Sequence, residues 1–377
     1  MLDFFTTIDD FVWGPPLLVL LVGTGIYLTI RLGLLQVLRL PKAFKLIFAE
    51  DKGEGDISSF AALATALAAT VGTGNIVGVA TAIKTGGPGA LFWMWIAAFF
   101  GMATKYSEGL LAIKFRTLDD QGNVSGGPMY YITHGFSGKW QTIAKPLAYF
   151  FAFAGVLVAW LGIGTFSQVN SITASLQNSF DWSPKIVSVI LALITAAIIF
   201  GGIQSISKVS EKVVPFMAGL YILAALVVIF TNFNQLLPVL EMVFQSAFTG
   251  KAAVGGFAGA TVMVAMRLGI ARGVFSNESG LGSAPIAAAA AKTEEPVEQG
   301  LISMTGTFID TIIICTLTGL AILVTGQWSG SLEGAPMTQA AFSSIFGTFG
   351  ELALTLSLVL FAFTTILGWS YYGERCF

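Results

Sequence analysis

Two stretches of this chain place glycine, hydroxyl and carboxamide residues inside segments that are otherwise apolar. The first is Ala69-Thr70-Val71-Gly72-Thr73-Gly74-Asn75-Ile76-Val77-Gly78. The second is Gly273-Val274-Phe275-Ser276-Asn277-Glu278-Ser279-Gly280-Leu281-Gly282-Ser283-Ala284-Pro285. Each glycine weakens a helix by about 1 kcal/mol relative to alanine, so both stretches are expected to interrupt the helices that carry them. Within hydrocarbon, backbone groups freed by an interruption must find other partners. The chemistry on offer is therefore that of the backbone itself. The N-terminus of a half-helix presents free N–H groups and the positive end of the helix dipole, suited to a carboxylate. A C-terminal end presents free carbonyls, suited to a sodium ion or an ammonium group. An amino acid carries both charges, so two opposed interruptions can hold a small zwitterion without a formal side-chain charge. Paired interruptions in two halves of a chain point to the site of a secondary transporter; glycine serving only close helix packing is the competing reading.

The composition fixes the setting. The chain has 377 residues, of which 55% are hydrophobic and 11% charged, with a mean hydropathy of +0.80. Soluble domains carry about 25% charge, so the expected class is an all-α integral membrane protein whose main partner is the lipid bilayer. A net charge of −2 and the lack of a basic stripe argue against a nucleic-acid partner. Cys315 and Cys376 form no disulfide or metal framework, and the single histidine, His134, sits in a polar connection. No cofactor other than a co-transported ion is implied. The start, Met1 to Asp10, carries three aspartates and no basic residue, so the first apolar span is expected to be retained rather than cleaved.

Nine apolar runs are long enough to span: 14–36, 58–83, 88–113, 143–175, 184–204, 212–231, 268–291, 301–326 and 347–373. They form a single transmembrane domain over residues 1–377. Arg39, Lys42, Lys45 and Lys52 follow the first run. Lys114, Arg116, Lys139 and Lys145 follow the third, Lys208 and Lys212 the fifth, and Lys292 the seventh. The alternate connections are nearly free of lysine and arginine. The positive-inside rule then places the N-terminus outside and the basic loops in the cytoplasm, in the plasma (inner) membrane. The connection from Asn232 to Ala265 is expected to hold an interfacial helix, and Trp328 to Phe346 another helix or a loop. By this orientation the two interrupted spans, the second and the seventh, cross in opposite directions.

The chain resembles the alanine or glycine:cation symporter family. The matching stretches are Gly72-Thr73-Gly74-Asn75-Ile76-Val77-Gly78-Val79-Ala80 and Gly86-Gly87-Pro88-Gly89-Ala90-Leu91-Phe92-Trp93-Met94-Trp95. Gly126-Gly127-Pro128-Met129-Tyr130-Tyr131 and the run Arg272 to Pro285 continue the match in order and spacing. The resemblance implies a LeuT-type fold, with one extra N-terminal helix (14–36) before two inverted five-helix repeats. The first repeat takes 58–231 and the second begins at 268–373. It also implies sodium-coupled uptake of alanine or glycine by alternating access. The sequence stops at Tyr371-Tyr372-Gly373-Glu374-Arg375-Cys376-Phe377, inside a family motif, whereas family members continue through two more helices. The second repeat is thus expected to be incomplete, and a form that does not transport stays open.

Residue by residue, Thr73 and Gly74 are expected to offer backbone N–H groups to the substrate carboxylate. Asn75 either binds an ion or caps the second half-helix. Gln168, polar in the apolar fourth span, either bonds substrate or another helix, with Phe166 as a pocket wall. Phe275 and Asn277 mark the second interruption, whose carbonyls receive the ammonium. Glu278 is ionisable within a span, and a role holding the broken backbone is as open as one in function. In the last span, the LeuT-type resemblance assigns Thr364 and Thr365 to a sodium site with the carbonyls of Ala69 and Gly72. Thr365 also faces substrate, and Trp369 limits pocket size. Asp310 could contact an ion, sense protons or pair with a helix. Lys105 and Glu108 read as a helix pair at i,i+3, and Arg267 and Arg272 as residues near the outer mouth.

The leading reading is sodium-coupled symport of alanine or glycine. A proton-coupled symporter is the alternative, and sodium is preferred because the site is built of hydroxyls and carbonyls. A channel fits paired mid-membrane interruptions less well than alternating access. An enzyme is set aside, because no His/Cys/carboxylate constellation converges within the spans.

Overall fold

The computed structural model describes residues 7–8, 11–51, 53–118, 123–249 and 262–377. Residues 1–6, 9–10, 52, 119–122 and 250–261 lie outside these. The chain is helical almost throughout. In order come α1 (Pro15–Arg31), α2 (Leu35–Leu38), α3 (Leu40–Leu46), α4 (Ser59–Thr70), α5 (Val79–Gly86) and α6 (Gly89–Lys114). There follow α7 (Pro128–Gly135), α8 (Gln141–Leu161), α9 (Phe166–Phe180), α10 (Pro184–Ile199), α11 (Gly202–Thr231) and α12 (Phe233–Thr249). The last are α13 (Val262–Asn277), α14 (Ala284–Ala289), α15 (Pro296–Thr307), α16 (Thr316–Val324), α17 (Gly334–Phe346) and α18 (Thr348–Cys376). Two short antiparallel strands, β1 (Thr117–Leu118) and β2 (Val124–Ser125), close the loop after α6.

The expected spans map onto these helices with informative differences. Four stretches of the described residues are long and apolar enough to cross a membrane: Gly138–Phe180, Gly202–Thr231, Pro296–Val324 and Thr348–Cys376. A fifth results if Ser59–Thr70 and Gly74–Gly86, bent by 52°, count as one span. Other expected spans fall short for visible reasons. α1 and α10 are short, α6 carries Trp93, Trp95, Lys105 and Glu108 among its apolar residues, and α13 and α14 are separated by a non-helical linker. The expected fourth run, 143–175, falls within the stretch Gly138–Phe180 and bends where α8 ends at Leu161 and α9 begins at Phe166. A Cβ on Gly164 would lie 2.7 Å from Trp369 Cβ, so glycine at this bend lets α18 pass close by. The helices expected near Asn232 and Trp328 are present as α12 and α17.

Packing follows from small residues. α6 lies against α13 and α15, α11 against α4, and α18 against α8, α9, α11 and α4. Gly368 sits so close to α4 that an added Cβ would be 2.7–2.8 Å from Ala69 backbone and Cβ atoms. The main core gathers α4, α5, α11, α16 and α17 around Ile76, Ile83, Met217, Tyr221, Phe342 and Phe361. Tyr221 is fully buried and satisfies its hydroxyl on Thr318 Oγ1 at 2.6 Å. Outward faces are apolar instead of polar: Tyr149, Phe150, Phe153, Leu193, Phe216 and Leu223 are all exposed. Apolar surface on this scale suits a bilayer rather than water.

Gly368→Val tests the close approach of α18 to α4. Overpacking a tight contact costs about 1–3 kcal/mol. The expected result is a lower apparent unfolding temperature in detergent than for Gly219→Val, whose site has open space; equal midpoints would refute it.

Candidate functional site

The first interruption begins where α4 ends. Val71 is extended (φ −76°, ψ 92°), and Gly74–Gly78 then wind as a π-helix into α5. Single π turns inside longer helices gather at functional sites. Asn75 folds the break upon itself: its Oδ1 accepts the Gly72 N–H at 2.8 Å, and its own N–H reaches the Gly72 carbonyl at 3.2 Å. The second interruption begins at Glu278, whose φ of 57° is left-handed. Its N–H bonds the Val274 carbonyl at 2.7 Å, terminating α13 as an αL cap normally made by glycine. A non-glycine residue in this conformation costs about 1–3 kcal/mol and marks a place the surroundings over-determine. Gly280 and Gly282 carry the chain onward at φ 88° and 79°, and α14 restarts with Pro285 in its first turn.

A small cavity lies between the two interruptions, enclosing about 10 Å³, room for about one water. Ala69, Gly72, Thr73 and Gly74 line it from the first break, Phe275 and Glu278 from the second. Gln168, Thr365 and Trp369 close it from α9 and α18, with Ile163 and Thr70 completing the wall. Gln168 donates its Nε2 to the Ile163 carbonyl at 3.0 Å, which leaves Oε1 buried without a hydrogen-bond partner. That oxygen points to the Gly72 side, 3.7 Å from where a Gly72 Cβ would be. The same hypothetical Cβ would be 2.5 Å from Thr365 Oγ1, so only glycine admits the threonine. Glu278 accepts the Trp369 indole N–H at 3.1 Å and the Ser283 hydroxyl. These two donors hold the carboxylate in the cavity wall.

Four residues expected at the site are not brought to this cavity. Phe166 is 62% exposed, because the bend before α9 turns it outward. Asn277 is buried, but its Nδ2 donates to Thr311 Oγ1 at 3.0 Å and its Oδ1 accepts the Ser279 N–H at 2.9 Å. Its carbonyl receives an ammonium, but that of Lys105. Thr364 bonds the Leu360 and Phe361 carbonyls and touches Met217 Sδ, facing α11. Asn75 is committed to its own break and to a partner behind it.

That partner is Asp310, the acid whose role the sequence left open. Phe308–Cys315 form a second π-helical stretch, between α15 and α16, and aim this fully buried carboxylate at both breaks. Asp310 Oδ1 accepts Asn75 Nδ2 at 2.7 Å, and Oδ2 accepts the Ser276 hydroxyl at 2.9 Å and that of Thr311 at 2.7 Å. Cys315 Sγ sits 3.4 Å from Asn75 Nδ2 and 3.3 Å from Ser276 Oγ. One carboxylate thus joins both interruptions.

Lys105 and Glu108 are also corrected. Rather than pairing along α6, they straddle the second break: Lys105 Nζ donates to the Asn277 carbonyl at 2.9 Å, and Glu108 Oε1 accepts the Gly282 N–H at 3.0 Å. A cation meets the C-terminal end of α13 and an anion the N-terminal end of α14, the favourable sense for both helix dipoles. Beyond α14, Arg116 donates to the carbonyls of Ala289 (2.9 Å) and of Ala291, Thr293 and Glu54 (each 2.7 Å).

Against known proteins, residues 1–377 match the profile described as the sodium:alanine symporter family. The chain is 56% identical over 375 residues to an uncharacterized transporter of Haemophilus influenzae, covering 99% of this chain and 81% of that one. It is 52% identical over 378 residues to the sodium/alanine symporter AgcS of Methanococcus maripaludis, covering 98% and 82%. Its fold is similar to that of a manganese transporter of Eremococcus coleocola, with a TM-score of 0.55 at 11% identity, over 87% of this chain and 69% of that one.

Asn75→Ala tests the link between the breaks. It strips a donor from Asp310 and an acceptor from Gly72, and each orphaned buried group costs about 1–3 kcal/mol. The apparent unfolding temperature is expected to fall well below that of Asn170→Ala, an exposed control on α9. Matching midpoints would show that the Asp310 contact carries no load.

Proposed function

This chain belongs to the sodium:alanine symporter family, and on that premise we propose that it couples sodium entry to the uptake of alanine or glycine by alternating access. Its several apolar helices and its family make it a multi-pass membrane protein. The proposed frame is LeuT-type, with α1 as the extra N-terminal helix, 58–231 as one repeat and 268–373 as part of the second. The N-terminus and the mouth near Trp13 are placed outside.

The observation that carries the reading is the pair of interruptions facing one small cavity with an unpartnered acceptor in it. The substrate carboxylate is assigned to the N–H groups at Thr73 and Gly74, which head the second half-helix. The ammonium is assigned to Gln168 Oε1, with the Glu278 carboxylate behind it. Phe275 and Trp369 bound the space assigned to the side chain. Sodium requires hard oxygen donors. One set lies in the cavity: the Ala69 and Gly72 carbonyls with Thr365 Oγ1. A second lies behind the first break, where the Asp310 carboxylate meets Asn75, Ser276 and Thr311. The second set carries a formal negative charge that no basic side chain among the described residues pairs with at salt-bridge distance. It supports a site where a cation binds and tightens both breaks around the substrate. The same carboxylate supports the proton-coupled alternative, so the driving ion is the first thing to measure.

Labelled alanine taken up by proteoliposomes decides the coupling. Uptake is expected to follow an inward sodium gradient, and Asp310→Asn to lose most of the sodium stimulation. Uptake indifferent to sodium and driven by a pH gradient would overturn the sodium assignment. Gln168→Met keeps side-chain bulk and removes the acceptor. Alanine affinity is expected to fall about 10-fold or more, since hydrogen bonds to charged groups contribute about 1.5–3 kcal/mol. Unchanged affinity would remove Gln168 from the site.

A further inference from the structure

A second, larger cavity of about 440 Å³ opens on the Trp13 side of the bundle. Trp13, Thr85, Arg267, Arg272 and Phe275 line it, and no acidic side chain does among the described residues. Phe275 is also a wall of the central cavity, so its ring is the partition between the two spaces. Arg267 is held in place by a bond from Nε to the Trp13 carbonyl at 3.3 Å. Arg272 stands one helical turn before Phe275 on α13, with its guanidinium carbon 5.8 Å from the centre of the Phe275 ring. Among the described residues that ring is its only recorded partner; the guanidinium makes no hydrogen bond or ion pair there.

A guanidinium presents five N–H donors in a planar fork that matches a carboxylate bidentately. In a concave, low-dielectric mouth, the Arg272 guanidinium raises the local concentration of anions. We infer that the wide cavity contains a carboxylate subsite at Arg272, where an incoming amino acid is held by its carboxylate before it passes Phe275. Here the reading rests on the proposed transport function; the subsite itself requires only a small carboxylate. A carboxylate that engages the guanidinium competes with the ring face for the same cation. Occupancy of the outer subsite therefore loosens the contact that steadies the partition.

The test uses the purified full chain in lipid-free detergent, with propionate as probe and tryptophan fluorescence as readout, Trp13 being the reporter in the cavity wall. Propionate is expected to give a saturable change that Trp13→Phe removes and that chloride at matched ionic strength does not reproduce. Arg272→Gln is expected to weaken propionate about 10- to 100-fold, the range for a lost hydrogen bond to a charged group. Arg272→Lys, which keeps the charge, retains part of the affinity and decides the case where Arg272→Gln does not fold. In proteoliposomes, Arg272→Gln raises KM for alanine. Phosphate that displaces propionate at equal or lower concentration would assign the subsite to phosphate groups, such as lipid headgroups, and overturn the carboxylate. Propionate titrations alike in wild type and both variants would overturn the subsite. A wild type that binds propionate through Arg272 but never accumulates alanine would bring down the transport reading and leave the subsite standing.

Discussion

The hydrogen bonds that Asp310 accepts from Asn75 and Ser276 hold together the two places where this fold gives up regular helix. Without water, a broken helix in hydrocarbon must have its freed groups met by the protein. Here one carboxylate meets both breaks at once. The central cavity is the space left between them on the opposite side of Asn75 and Ser276. Its shape therefore depends on a group that does not line it. Any ion or proton that changes the charge on Asp310 acts on both walls of the cavity together, which is the behaviour a coupled transporter requires.

The second break is the more heavily braced. Lys105 and Glu108 hold its two ends from one rigid helix, Arg116 gathers the carbonyls beyond α14, and Trp369 and Ser283 hold Glu278. The left-handed Glu278 backbone is tolerated because its N–H and its carboxylate are both engaged. The first break has fewer outside supports and relies on Asn75. The bracing is unequal: α13 and α14 are tied to α6 by charged side chains, whereas the π turn after Gly72 is held by Asn75 and by the Thr338 hydroxyl on the Ile76 carbonyl.

Much of this was legible in the sequence. Glycine and carboxamide residues within apolar runs located both breaks, and Gln168, Thr365 and Trp369 do converge on the cavity between them. What escaped has physical reasons. Asn75 and Asp310 are 235 residues apart, and no local pattern joins them. Thr364 and Thr365 are neighbours in sequence but about 100° apart around a helix, so one faces α4 and the other α11. Phe166 lies two residues from Gln168 in sequence, but the bend at Gly162–Thr165 turns it away from the pocket. Lys105 and Glu108 have the spacing of an ordinary helix pair, and only the packing of α13 and α14 on α6 reveals their targets.

The π-helical stretch at Phe308–Cys315 bears on how this gene can change. A π turn accommodates an additional residue, whereas each residue of an α-helix rotates the following face by about 100°. Deleting a single residue there would let the helix relax to α geometry, and every side chain beyond it would change azimuth. Thr316 would leave the Trp95 indole it accepts at 2.8 Å, and Thr318 would leave Tyr221. Lineages carrying this protein should therefore keep the length of the stretch as fixed as Asp310 itself.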